Sequence, residues 1–77
     1  MVKRRSDEQV RSEARHNARA ARGRESWDWS FIVPTGEAYA TIKGAEDEGW
    51  IYEESIEMPP DSRQIPQSKL AFRRTRP

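Results

Sequence analysis

From residue 27 onward the large side chains fall on every second position, with Trp27, Trp29, Phe31 and Val33 alternating with Asp28, Ser30 and Ile32. A period of two is that of a half-buried strand, and Pro34, which has no N–H to offer a ladder, ends it. Thr35 is placed to cap a helix over about 36–48, on which Ala38, Tyr39, Ile42 and Ala45 fall on one side. Within that helix Gly44 permits close approach to the sheet, and Gly49 stands where a left-handed C-cap is expected. A second alternating run turns Trp50, Tyr52, Ile56 and Met58 inward and Ile51, Glu53, Ser55 and Glu57 outward. Glu54 then falls on the inward side, which fits only near an edge or a bulge. The stretch PPDSRQIPQS, residues 59–68, reads as a proline-rich loop. A last strand over about 69–74 has Leu70 and Phe72 in and Lys69 and Arg73 out. If the last two strands pair antiparallel, those cations face Glu53 and Glu57. The expected fold class is α+β: a β-α-β-β unit of three strands and one packed helix, with the strand order left open by the pattern.

Ahead of this unit the period changes to that of a helix over about 7–22. Ser6 and Gln9 fit a capping box, Asp7 and Glu8 suit the positive end of the helix dipole, and Gly23 can stop the helix. Arg11, Arg15, Arg19 and Arg22 form one stripe, and Val10, Ala14, Ala18 and Ala21 form the stripe beside it. Alanine favours the helix but has little surface to bury, so packing is expected to add little. The reading is a mobile basic arm over 1–24 that orders on contact, followed by a small domain over 25–77.

Charge sharpens that division. Residues 1–24 carry eight basic and three acidic side chains, residues 25–61 one basic and ten acidic, and residues 62–77 five basic and none acidic, although the whole chain is only +1. Such segregation points to charged partners or to pairing between segments, and says nothing about fold. At 77 residues the chain holds one small domain. It contains no cysteine, so no disulfide frame asks for an oxidising compartment. Neither a signal-type apolar run nor a membrane-spanning stretch is visible, and a cytoplasmic monomer is the simplest expectation.

Candidate chemistry is thin. His16 lies among arginines with no carboxylate to orient it, and no serine has a base nearby in sequence, which argues against an enzyme. Glu46, Asp47, Glu48, Glu53 and Glu54 lack the alternating spacing of a calcium loop and read as a solvated acidic face. No metal or cofactor is expected. Trp29 and Trp50 are assigned to the core with Ile42 and Phe72, because other large apolar residues are scarce. Trp27, at the junction with the arm, is left as a contact residue.

For the arm, a solubilising leader is one reading. The arginine stripe could instead track phosphates or meet an acidic protein surface with bidentate contacts. The acidic body repels a phosphate backbone within a Debye length, ~8 Å in physiological salt, which favours a protein partner. Nucleic acid held by both basic ends is the alternative. Pairing of the arm with a neighbouring copy's acidic face is a third. The expected contacts are Arg4, Arg5, Arg11, Arg15, Arg19, Arg22 and Trp27.

The order strand, helix, EDEGWIYEE, loop and LAFRR resembles a family of short bacterial and phage domains of unknown function in which a Gly-Trp pair closes the helix, here Gly49 and Trp50. That likeness spans about residues 26–74 and implies the fold alone. The arginine-rich start KRRSDEQVRSEARHNARAARGRESWDW and the acidic body are also similar to small phage proteins that bind host RNA polymerase, of the type found in a Xanthomonas phage. What this second resemblance implies is a non-catalytic regulator of transcription, an inhibitor or antiterminator, working in the host bacterial cytosol.

Overall fold

A computed structural model describes residues 5–24 and 27–75. Its elements run α1 (Asp7–Gly23), β1 (Asp28–Pro34), a 3-10 turn (Thr35–Glu37), α2 (Ala38–Asp47), β2 (Ile51–Met58) and β3 (Gln67–Arg73). The three strands form one sheet in the order β1-β3-β2, and β3 is antiparallel to both neighbours. β1 and β2 therefore run parallel to each other, and the chain crosses between them through α2 while β3 fills the gap. Both outer strands are edges.

The α+β class and the β-α-β-β order hold. One expectation needs correction: residues 7–22 do not stand off as an arm. The capping box forms as the sequence implies, with the Gln9 N–H donating to Ser6 Oγ (3.2 Å) and the Ser6 N–H to Gln9 Oε1 (3.0 Å). The helix it starts buries Val10, Ala14, Ala18 and Ala21 completely or nearly so. Small side chains give little area, but they let two helix backbones come very close. Gly44 of α2 completes that fit: a Cβ there would lie 2.5 Å from the Arg11 carbonyl oxygen and 2.6 Å from Ala14 Cβ. The close approach foreseen for Gly44 is thus real, but its partner is α1 and not the sheet.

Beneath the helices lies an aromatic layer. Trp29, Phe31 and Val33 of β1 share the helix side of the sheet with Phe72 and Leu70 of β3 and Tyr52 of β2. Trp29 stacks on Phe31 (centroids 4.5 Å) and on Phe72 (5.4 Å) and tilts against Trp50 (5.3 Å). Trp50 is 2% exposed, and its indole N–H donates to the Ala18 carbonyl at 3.0 Å, tying the sheet layer to α1. The core assignments of Trp29, Trp50 and Phe72 hold, with Ile42 packed on the rim.

Register in β2 departs from simple alternation. A bulge between Tyr52 and Glu54 sets Glu54 opposite Ala71, Ser55 opposite Leu70 and Ile56 opposite Lys69. Glu54 thereby leaves the inward side, as the bulge argument allowed. The same extra residue turns Ile56 and Met58 outward, against the expectation that both face the core. Ile56 is 45% exposed. Arg73 does pair with Glu53 (3.4 Å), but Lys69 faces Ile56 instead of Glu57. Tyr39, expected on the buried side of α2, is 72% exposed, while Ala40, Thr41, Gly44 and Ala45 face inward.

At the ends of α2, Gly49 has φ 88°, the left-handed cap the sequence implies. Thr35 is no side-chain cap, because its hydroxyl lies 2.8 Å from that of Ser68. The loop after β2 is ordered by Asp61, whose carboxylate accepts the N–H groups of Arg63 (2.9 Å) and Ile65 (3.0 Å). Those backbone bonds, that to Ile65 first, hold the Asp61 carboxyl below its usual range.

Candidate functional site

The arginine stripe is the natural starting point, and the fold assigns its side chains partners inside the chain. Arg11 forms a bidentate pair with Asp47, Nε and Nη2 each at 2.8 Å, and Arg15 reaches the same carboxylate at 3.2 Å. Arg19 clasps Glu48 through Nε (3.3 Å) and Nη2 (3.1 Å), while Arg22 donates to the Glu48 carbonyl at 2.8 Å. Just ahead of α1, Arg5 bridges Glu13 of that helix and Glu37 before α2, at 2.7 Å to Glu37. Of the remaining expected contacts, Arg4 lies outside the described residues.

The reason for this arrangement is the end of α2. Asp47 and Glu48 stand at the C-terminal, negative end of that helix dipole, an unfavourable place for carboxylates. Guanidinium groups delivered by α1 offset both the dipole and the clustered charge. Consequently the hydrogen bonds from Arg11, and then Arg15, hold the Asp47 carboxyl down to about 2. Arg19 lowers Glu48 in the same way, and Arg5 is raised by its bonds to Glu37 and Glu13. Exposed ion pairs stabilise little individually. Together they fix which turn of α1 meets which end of α2.

Trp27 is half-buried and likewise engaged. The Arg74 guanidinium sits 4.7 Å from the Trp27 ring centroid and 5.1 Å from that of Trp50, and the Arg74 N–H donates to the Trp27 carbonyl at 2.8 Å. Trp27 therefore serves as part of a clasp that closes the β1–β3 end of the sheet.

With these cations occupied, the surface richest in unpartnered apolar groups is the sheet. Its outer face carries Ile32 (52% exposed), Ile51 and Ile56 around Ala71 and Lys69. At the β1 edge, the half-buried rings of Trp29 and Phe31 join Asn17, Ala20 and Arg24 of the α1 segment to line a groove of about 220 Å³. Sequence reasoning placed Trp29 in the core and gave Arg24 no role. The signal that could have found the groove is the run Trp29 to Val33, five strand residues without a charge in a chain that is 35% charged.

His16 is exposed on α1. No cluster of histidine or carboxylate side chains suited to a metal is present among the described residues. Nor is any described helix long and apolar enough to cross a membrane. Comparison with known proteins adds no identity: no family model, curated protein or solved structure matches the chain.

Proposed function

We propose that this chain is a non-enzymatic regulator that acts by docking on a protein, in the bacterial cytosol, with RNA polymerase as its target and inhibition or antitermination as its effect. One observation supports docking through the sheet: the isoleucine-rich outer face and the aromatic β1 edge are open, while the basic helix spends its charge inside the molecule. The three isoleucines share the outer face with Lys69 and Arg73, and exposed apolar side chains grouped on one face of a small protein suit a contact site. The polymerase assignment rests on the likeness in size and charge character to small phage transcription inhibitors.

The same internal pairing weighs against the phosphate-tracking alternative. A duplex would have to displace Asp47 and Glu48 from four arginines before it met them, and it would still face the acidic body. Purified bacterial RNA polymerase, as core and as holoenzyme, provides the test. The intact protein is expected to form a stoichiometric complex at micromolar concentration and to alter promoter-directed run-off transcription. The double variant Ile32→Glu/Ile56→Glu is expected to lose both effects, and Arg19→Gln to keep them. Failure to bind either polymerase form defeats the assignment.

A further inference from the structure

The geometry points to a particular docking mode, which rests on the protein-binding reading above. We infer that the open edge of β1 accepts an extended segment of the partner as a fourth strand. That segment lays apolar side chains into the groove beside α1 and places a carboxylate on Arg24.

The backbone sets which groups are available. At one end of β1 the Trp27 carbonyl accepts the Arg74 N–H (2.8 Å), and at the other the Thr35 N–H donates to the Pro66 carbonyl (2.9 Å). Both contacts continue the β1–β3 register, in which bonded and non-bonded pairs alternate. Odd-numbered residues of β1 therefore aim their backbone groups at β3. Even-numbered Ser30 and Ile32 aim theirs at the open edge. Pro34, the next even position, has no N–H and limits pairing at that end.

Natural edge strands are usually blunted by charge or by bulges. β2, the other edge, has both: Glu53, Glu54 and Glu57, and the bulge after Tyr52. β1 has neither between Asp28 and Pro34. β1 therefore carries blunting residues only at its ends, Asp28 and Pro34, and an edge whose middle is left regular and uncharged while its counterpart is protected along its length is the one suited to strand addition.

Side-chain chemistry then selects the incoming strand. On the helix side, every second residue of an added strand would lie along Trp29 and Phe31 and below Ala20 and Asn17, a wall that fits aliphatic groups. At the rim stands Arg24. Arg5, Arg11, Arg15, Arg19 and Arg22 are all ion-paired, but no ion pair among the described residues involves Arg24. A carboxylate on the partner strand supplies the missing charge. A second copy of this chain is a poorer match, because the helix-side residues of its own β1 are Trp29, Phe31 and Val33.

The test uses the intact protein and capped octapeptides that alternate valine with threonine, with one aspartate walked through each position. Tryptophan fluorescence reads binding beside Trp29. At least one aspartate position is expected to bind in a salt-sensitive way, about tenfold tighter than its asparagine counterpart. That preference is expected to vanish in Arg24→Gln. N-methylation of the peptide's edge-facing amides, which leaves the protein untouched, is expected to abolish binding. So is Ser30→Pro, which removes an outward N–H without breaking the β1–β3 ladder. No binding by any peptide, equal binding of aspartate and asparagine forms, or unchanged binding after N-methylation would each overturn the inference. A protein that dimerises on its own and is made monomeric by Ser30→Pro would name a second copy as the occupant and overturn it equally. The docking reading fails separately: polymerase bound equally well by Ser30→Pro sinks only the groove, and peptides bound without polymerase sink only the target.

Discussion

Replacing Gly44 with alanine sets two effects of opposite sign against each other, and their balance shows whether α1 is truly seated. In a free helix the change stabilises by about 0.5–1 kcal/mol, because glycine has the larger entropy to lose. In this fold the new methyl would meet the Arg11 carbonyl oxygen at 2.5 Å and Ala14 Cβ at 2.6 Å, about 1 Å inside ordinary contact. Neither atom belongs to a flexible side-chain end, so the strain can be relieved only by parting the helices. Overpacking of that kind costs about 1–3 kcal/mol. Moving α1 outward also loosens Ala14 and Ala18 and stretches the Arg11–Asp47 pair. The net expectation is a loss of about 1–2 kcal/mol, which in a chain of this size lowers the Tm by roughly 4–15 °C. Thermal unfolding followed by far-UV circular dichroism measures it, and limited proteolysis reports whether α1 becomes the first segment cut. A Tm that rises, with α1 no more easily cut than before, would refute the close packing of the helices. It would return residues 7–23 to the status of a detached arm.

Two further expectations follow from the same interface. Asp47 titrates at about 2 against an ordinary 3.8, and Glu48 lies below its ordinary 4.5. The stability these carboxylates add is fully present above their unfolded values and is lost as pH falls through the folded ones, so α1 should loosen between about pH 4.5 and 2. Amide chemical shifts of Ala14 and Ala18 followed over that range check this, and shifts that stay flat in wild type while still moving in Asp47→Asn would contradict it. Trp50→Phe removes the indole N–H from a buried carbonyl, that of Ala18, and should cost about 1–3 kcal/mol by chemical denaturation. A cost near zero would mean that the bond does not hold α1 to the sheet.

What the sequence determined by itself is local. The capping box at Ser6 and Gln9, the left-handed Gly49 after α2, the stop at Pro34 and the period-two run through Trp29 and Phe31 all depend on neighbours a few residues away, and each is where the pattern implies. Partners were decided by the tertiary structure, because a helical wheel shows which residues share a face and not what that face meets. The arginine stripe looked like a free cationic surface only while Asp47 and Glu48, some thirty residues on, had no place in space beside it. A single extra residue at Glu53 reversed the facing of Ile56, since alternation carries a one-residue slip through the rest of a strand. The strand order, with β3 between β1 and β2, left β1 as an edge and so made a candidate contact surface of residues the sequence alone assigned to the core.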